Sequence, residues 1–278
     1  METFNHANGI TLHCSEEGEG NKEAIIFLHG FPEYGGAWKK QLDFMASVGY
    51  HAIAPDQRGY NMSSKPEGVK AYIIDNLVAD IVALIGTRKV FLVGHDWGGC
   101  VAWEVAIRHP SLLKKLVILN MPHPAVMLHE VKTNPKQMIK SWYQALFQLP
   151  VLPELLLKVF NFKFLERSLL NTSIKGTFDS EDLTRYKHAW QQPNALTSML
   201  HWYRAFKYYK STNDVTVNVP TLIIWGKKDQ FLSAEMAEKS KDHCANGKLV
   251  MLQDATHWLH HEKTEKVNKL ILEFIQEA

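Results

Sequence analysis

One short stretch constrains this chain more than any other. Gly94-His95-Asp96-Trp97-Gly98-Gly99 follows an apolar, β-branched run at 89–93 and precedes a segment, 100–106, with apolar positions at helical spacing. A strand, a glycine-bracketed turn and a helix form the context of a nucleophile elbow. Such a turn strains its central residue, so the residues two places away on each side must be small. Gly94 and Gly98 meet that need. The central residue is Asp96, not Ser or Cys. That choice selects a carboxylate that attacks carbon and is itself left as the ester. Its place at the N-terminus of the following helix favours the ionised form. For the six residues alone, a glycine-rich turn whose aspartate merely caps a helix is the competing reading.

Short β-like runs lie at 10–14, 24–28, 51–55, 90–93, 116–119, 221–225 and 248–252. Between them fall helix-like segments at 37–48, 76–86, 98–109 and 233–244. This alternation predicts an α/β fold, a largely parallel sheet with helices on both faces. The first run is expected to be antiparallel, entering through a hairpin near Asn8-Gly9. Residues 263–277 are amphipathic and predict a closing helix. The alternation stops after 124 and resumes at Val219. The stretch between is rich in Leu, Phe, Trp, Tyr and Lys and shows no convincing strand. It reads as a helical lid, inserted over the strand C-terminal ends where ligands bind in such sheets. The expected division is a core of 1–124 and 216–278, with a lid of 125–215.

At 278 residues the chain has room for one large domain with such an insertion. Apolar residues make up 46% and charged residues 22%, as in an ordinary globular protein. Lys plus Arg is 31 against 29 for Asp plus Glu, a balance that gives no electrostatic reason to expect nucleic acid or an anionic membrane as partner. Cys14, Cys100 and Cys244 are odd in number and far apart, which predicts a reducing, cytoplasmic setting rather than a disulfide framework. The N-terminal residues show no secretory pattern, and no apolar run is long enough to span a membrane. Residues 146–160, broken by Pro150 and Pro153, are read as a buried part of the lid, with contact to a membrane surface as the lesser alternative. Of 14 histidines only His257, His260 and His261 cluster. Without HExxH or CxxC spacing, no catalytic metal is expected.

An elbow nucleophile is followed in sequence by an acid and then a histidine. Asp229 lies just after the run at 222–225, and His257 just after the run at 248–252. The C-terminal ends of parallel strands share one sheet edge, so Asp96, Asp229 and His257 can meet there. A solvated loop acid and a plain loop histidine are the bland alternatives. Their order after successive strands counts against both. His29-Gly30-Phe31-Pro32-Glu33 follows the run at 24–28 and is expected to aim backbone N–H groups at the nucleophile. An oxyanion hole would then form from the N–H groups of Phe31 and Trp97. Pro32 fixes the loop, with a cis bond before it. The bland reading is a strand-end turn.

These segments, with Pro55-Asp56-Gln57-Arg58-Gly59-Tyr60 and Asn120-Met121-Pro122-His123-Pro124, resemble the epoxide hydrolase group of the α/β-hydrolase superfamily. The resemblance runs almost the length of the core. It implies an eight-stranded, mostly parallel sheet flanked by helices, beneath an inserted helical lid. It also implies two lid tyrosines facing the nucleophile. Tyr143, in Trp142-Tyr143-Gln144-Ala145-Leu146-Phe147-Gln148, matches the first, and Tyr203, in Leu200-His201-Trp202-Tyr203-Arg204, the second. Taken singly, each could be an ordinary packed aromatic. The implied chemistry is ring opening by Asp96, protonation of the departing alkoxide by a phenol, and hydrolysis of the ester by water activated by His257, which Asp229 orients. No metal or organic cofactor is needed. The implied partners are a small apolar epoxide and water, with the protein a monomer or a homodimer.

The resemblance places His29, Pro32, Trp142 and Trp202 at the substrate pocket, beside Phe31 and Trp97. Aromatics at such positions equally suit packing of lid on core. A haloalkane or haloacid dehalogenase, which shares the ester intermediate, is the nearest alternative, and Trp97 and Trp142 offer indole N–H donors for halide. The haloacetate branch, however, holds its substrate carboxylate with arginines one and four residues after the nucleophile, where this chain has Trp97 and Cys100. Cys100 is read as packing. A non-catalytic homologue would be expected to have lost at least one of the two acids, the histidine or the two tyrosines.

Overall fold

The computed structural model describes residues 1–210 and 216–277. Eight strands, β1 (Glu2–Ala7), β2 (Ile10–Glu17), β3 (Glu23–Leu28), β4 (Tyr50–Pro55), β5 (Val90–His95), β6 (Leu113–Leu119), β7 (Thr221–Gly226) and β8 (Gly247–Leu252), form one sheet. Their order is β1-β2-β4-β3-β5-β6-β7-β8. β1 and β2 join antiparallel across Asn8-Gly9, β2 pairs antiparallel with β4, and every later pairing is parallel. This is the mostly parallel α/β sheet expected from the alternation.

The central strands are apolar throughout because both faces are covered. Ile26 and Leu28 of β3 and Leu92 of β5 face α2 (Ile74–Ile85) and α3 (Asp96–Arg108). Their neighbours Ile25, Phe27, Phe91 and Val93 face α1 (Lys39–Ser47) and the C-terminal helix Thr264–Gln276. The connection leaving β3 therefore turns to one face and that leaving β5 to the other, although β3 and β5 are paired neighbours. Such a switch point opens a crevice at the strand C-terminal ends. Phe31 and Asp96 stand on its two sides.

Between β6 and β7 the chain makes only helices among the described residues: α4 (Pro124–Thr133), α5 (Pro135–Lys140), α6 (Trp142–Phe147), α7 (Leu152–Thr172), α8 (Ser180–Gln191), α9 (Ala195–Ala205) and a short turn at Phe206–Tyr208. Pro124 and Pro135 start their helices, and a capping box of Asp179 with Asp182 starts α8. The expected lid end at residue 215 falls outside the described residues. Two shorter helices, α10 (Glu235–Lys241) and α11 (Leu259–Glu262), precede the C-terminal helix, α12.

The expectation that 146–160 is buried is overturned. Leu149, Val151, Leu152, Leu155, Leu156, Val159 and Phe160 are exposed, and Phe160 is 86% exposed. The segment is mostly apolar, with Glu154 and Lys158 as its charged residues, yet only Phe147, Pro153 and Leu157 are buried. The helix then breaks at Phe160, Asn161 and Phe162, whose φ angles are +52°, +55° and +60°. Left-handed backbone at three consecutive residues with side chains is costly and redirects the chain, so Phe162, Leu165 and Leu169 reach the core where Phe160 does not.

Candidate active site

The elbow has the strained backbone that its sequence demands. Asp96 has φ +49° and opens α3 directly from β5. Space around it admits only glycine. A Cβ on Gly98 would stand 2.3 Å from the carbonyl oxygen of Leu28, and one on Gly30 2.3 Å from the Cβ of Asp96. β3 can therefore run close against the elbow, and the loop after it reaches the nucleophile. The Phe31 N–H donates to Asp96 Oδ1 at 2.9 Å. The Phe31–Pro32 peptide is cis. Trp97 is the second residue of α3, so its N–H belongs to the first turn, whose amides lack partners within the helix.

β7 and β8 deliver the other two groups. Asp229, three residues past β7, is buried and fully bonded. Its Oδ1 accepts the N–H groups of Phe231 and Leu232 at 2.7 and 2.9 Å, and its Oδ2 accepts His257 Nδ1 at 2.7 Å and the side-chain amide of Asn120. The other ring nitrogen of His257 lies 3.5 Å from Asp96 Oδ2. The three groups named from sequence thus form one line. Asn120, just past β6 with φ +41°, also accepts the N–H of Gly226 and so ties the ends of β6 and β7 together.

Charge fixes the protonation of that line. Burial disfavours the imidazolium of His257, but the carboxylates of Asp229 and Asp96 outweigh it and raise its pKa to about 10. Burial likewise pushes both acids towards neutrality, and His257 more than reverses this, so both sit below their usual range. The resting site is carboxylate, imidazolium, carboxylate.

The cap closes over this line with phenols. Tyr143 of α6 and Tyr203 of α9 bound the same cleft as Asp96 and His257, about 380 Å³ in volume. Their rings lie 6.0 Å apart, and Tyr203 packs edge-on against Phe31 and Trp97. Burial raises both phenol pKa values, with the charge of Asp96 adding to the effect, so both are protonated at neutral pH. Pro32, Phe147, Phe231 and Trp258 supply apolar walls. A larger groove of about 550 Å³ lies on the cap surface between α7, α8 and α9, and no nucleophile–base pair lines it.

Two residues expected at the pocket do not line this cleft. His29 is wholly buried beneath the loop, where its Nε2 accepts the N–H of Gln57. Trp202 points the other way along α9, donating its indole N–H to the Arg58 carbonyl and packing on Tyr60. Adjacent helical residues diverge by about 100°, so Tyr203 and Trp202 cannot both face one cleft. Trp142 does line it, at the rim and 60% exposed.

A buried set of groups behind the histidine was not anticipated. Glu33 accepts from Tyr186 at 2.8 Å and lies 3.1 Å from His95 Nδ1 and 2.7 Å from His261 Nε2. His95 Nε2 in turn meets the His257 carbonyl at 2.9 Å. Burial alone would raise the pKa of Glu33, but the surrounding histidines hold it well below the ordinary value. Glu33 and His95 flank known motif positions, but no spacing in the sequence links them to His260 and His261.

A mostly parallel sheet with Asp96, Asp229 and His257 brought together after β5, β7 and β8 defines an α/β-hydrolase. The sequence profile of the alpha/beta hydrolase fold matches residues 23–264. AB hydrolase superfamily protein YfhM of Bacillus subtilis (strain 168) is 45% identical over 98% of this chain and 97% of its own length. Epoxide hydrolase 4 of Homo sapiens is 36% identical over 97% of this chain and 77% of its own length. The crystal structure of the Bacillus megaterium epoxide hydrolase with an inhibitor superposes with a TM-score of 0.92, at 32% identity, covering 99% of this chain and all of that one. The chain belongs to the epoxide hydrolase family of the α/β-hydrolase superfamily.

Proposed function

We propose that the chain converts an apolar epoxide and water to a vicinal diol, with residues 125–215 acting as the cap. The observation that carries this reading is the pair of protonated phenols, Tyr143 and Tyr203, in one cleft with Asp96. An Asp96 oxygen attacks a ring carbon, the carbon–oxygen bond of the ring breaks, and a phenol gives its proton to the departing alkoxide. Esterification removes the charge of Asp96, one of the two that kept His257 protonated. His257 then gives its proton back to the tyrosinate and becomes a neutral base. It takes a proton from water, whose oxygen attacks the Asp96 ester carbonyl. The N–H groups of Phe31 and Trp97 hold the oxyanion. Collapse breaks the bond from the Asp96 carbonyl carbon to the diol oxygen, which takes the proton of the added hydroxyl; diol leaves, and carboxylate and imidazolium are restored, so protons balance over the cycle.

Halide as leaving group fits less well. It needs N–H donors converging beside Asp96, whereas Trp142 stands at the rim and the Trp97 ring packs against Tyr203. The test is incubation with styrene oxide and, separately, with a haloalkane. Diol from the first and no halide from the second is expected. Halide release without diol formation would overturn the assignment.

A further inference from the structure

The mouth of the catalytic cleft opens within an exposed apolar face. Ile139, Trp142 and Phe164 line the cleft and are exposed, Ile139 at 73%. On α7 the exposed surface continues through Leu152, Leu155, Leu156, Val159 and Phe160. Isolated exposed apolar side chains are ordinary in globular proteins, but here 11 of the 18 large exposed ones among the described residues fall within 138–164. The break at residues 160–162 aims Phe160 away from the core while Phe162 turns into it, so its exposure is built into the backbone.

The charge pattern identifies what this face meets. Residues 131–170 carry Lys132, Lys136, Lys140, Lys158, Lys163 and Arg167 against only Glu154 and Glu166. Both acids are already paired, Glu154 with Arg204 and Glu166 with Lys163 and Lys187. Lys132, Lys136, Lys158 and Arg167 are exposed beside the apolar residues. The whole chain carries a net charge of only +2, so these residues, at +4, stand against a remainder of −2. Apolar side chains in the acyl boundary beneath a cationic rim describe an element lying in an anionic membrane surface. No described helix is long and apolar enough to cross a membrane, so contact would be interfacial.

We propose that the cap face formed by α5, α6 and the first half of α7 docks reversibly on anionic lipid, with the cleft mouth against the acyl boundary. An apolar substrate dissolved in the bilayer then reaches Asp96 without crossing bulk water. This delivery role rests on the epoxide reading above. Docking itself does not.

Vesicle flotation tests the docking directly. The protein should float with phosphatidylcholine–phosphatidylglycerol vesicles and much less with phosphatidylcholine alone, and high salt should weaken the association. The paired change Leu156→Glu and Phe160→Glu should lower the partition coefficient by roughly tenfold or more, since it removes two apolar contacts and adds like charge to the lipid. Its turnover of a water-soluble epoxide without vesicles should match the parent, which shows that the variant is folded and keeps the two proposals separately testable. No flotation, equal flotation of the variant, or a parent dimer that the double change converts to monomer would overturn lipid docking. The last outcome would assign the face to a second copy of the chain.

Discussion

Asp96 Oδ2 and His257 Nε2 stand 3.5 Å apart, an ion pair in which each group favours the charged form of the other. In the proposed reaction, ester formation removes the charge of Asp96 and so releases His257 to act as the base that the next step needs.

That coupling is measurable. Asp96→Asn should lower the pKa of His257 by about one to three pH units, the range expected when an opposite charge at this distance is removed. Imidazole NMR shifts followed against pH report it. An unchanged titration would refute the ion pair. The sign for stability follows from the same values. His257 titrates near 10 when folded against 6.5 ordinarily, so its contribution is complete below about 6.5 and is lost as pH rises through about 10. Asp96 and Asp229 are held low, so theirs is present above about 4 and is lost as pH falls through their lowered values.

Tyr143→Phe and Tyr203→Phe should each slow alkylation of Asp96, and the double change should slow it by about 10²–10⁴-fold, the usual worth of general acid catalysis. Stopped-flow quenching of tryptophan fluorescence by the bound substrate follows this step. Parent-like alkylation by the double variant would remove the phenols from the mechanism.

His257→Gln should stop the cycle at the ester. Intact-protein mass spectrometry should show an adduct equal to the mass of one epoxide, and Asp96→Ala should show none. Steady turnover by His257→Gln would exclude it as the base.

Glu33→Gln leaves His95 and His261 facing an uncharged amide in a buried site. An amide offers one acceptor oxygen where the carboxylate offers two, so a buried polar group loses its partner at a cost of about 1–3 kcal/mol, and chemical denaturation should show a loss of that size. A loss within experimental error would show that the cluster adds nothing to stability.

Much of this architecture was legible because period and punctuation agree. Strands β3 to β8 stand out as apolar runs that end in motif loops, and the order Asp96, Asp229, His257 follows from strand order alone. The fourth-to-third strand reversal, which creates the crevice, leaves no local mark. Trp202 and Tyr203 are adjacent in the motif, and only the pitch of α9 decides which faces the cleft. The surface of α7 misled for a related reason. A helix this rich in Leu, Val and Phe normally signals burial, and nothing in Val159-Phe160-Asn161-Phe162 announces the left-handed turn that leaves its first half uncovered. The Glu33 cluster joins loops that are distant in sequence, with the shared environment created by folding alone.

In the proposed reaction the carboxylate of Asp96, not water, delivers oxygen to the substrate carbon. A single turnover with enzyme in excess, run in water labelled with heavy oxygen, separates the two routes. The diol should be unlabelled, with label in the peptide that contains Asp96. Label in the diol after that first turnover, with none in Asp96, would rule out attack by the carboxylate.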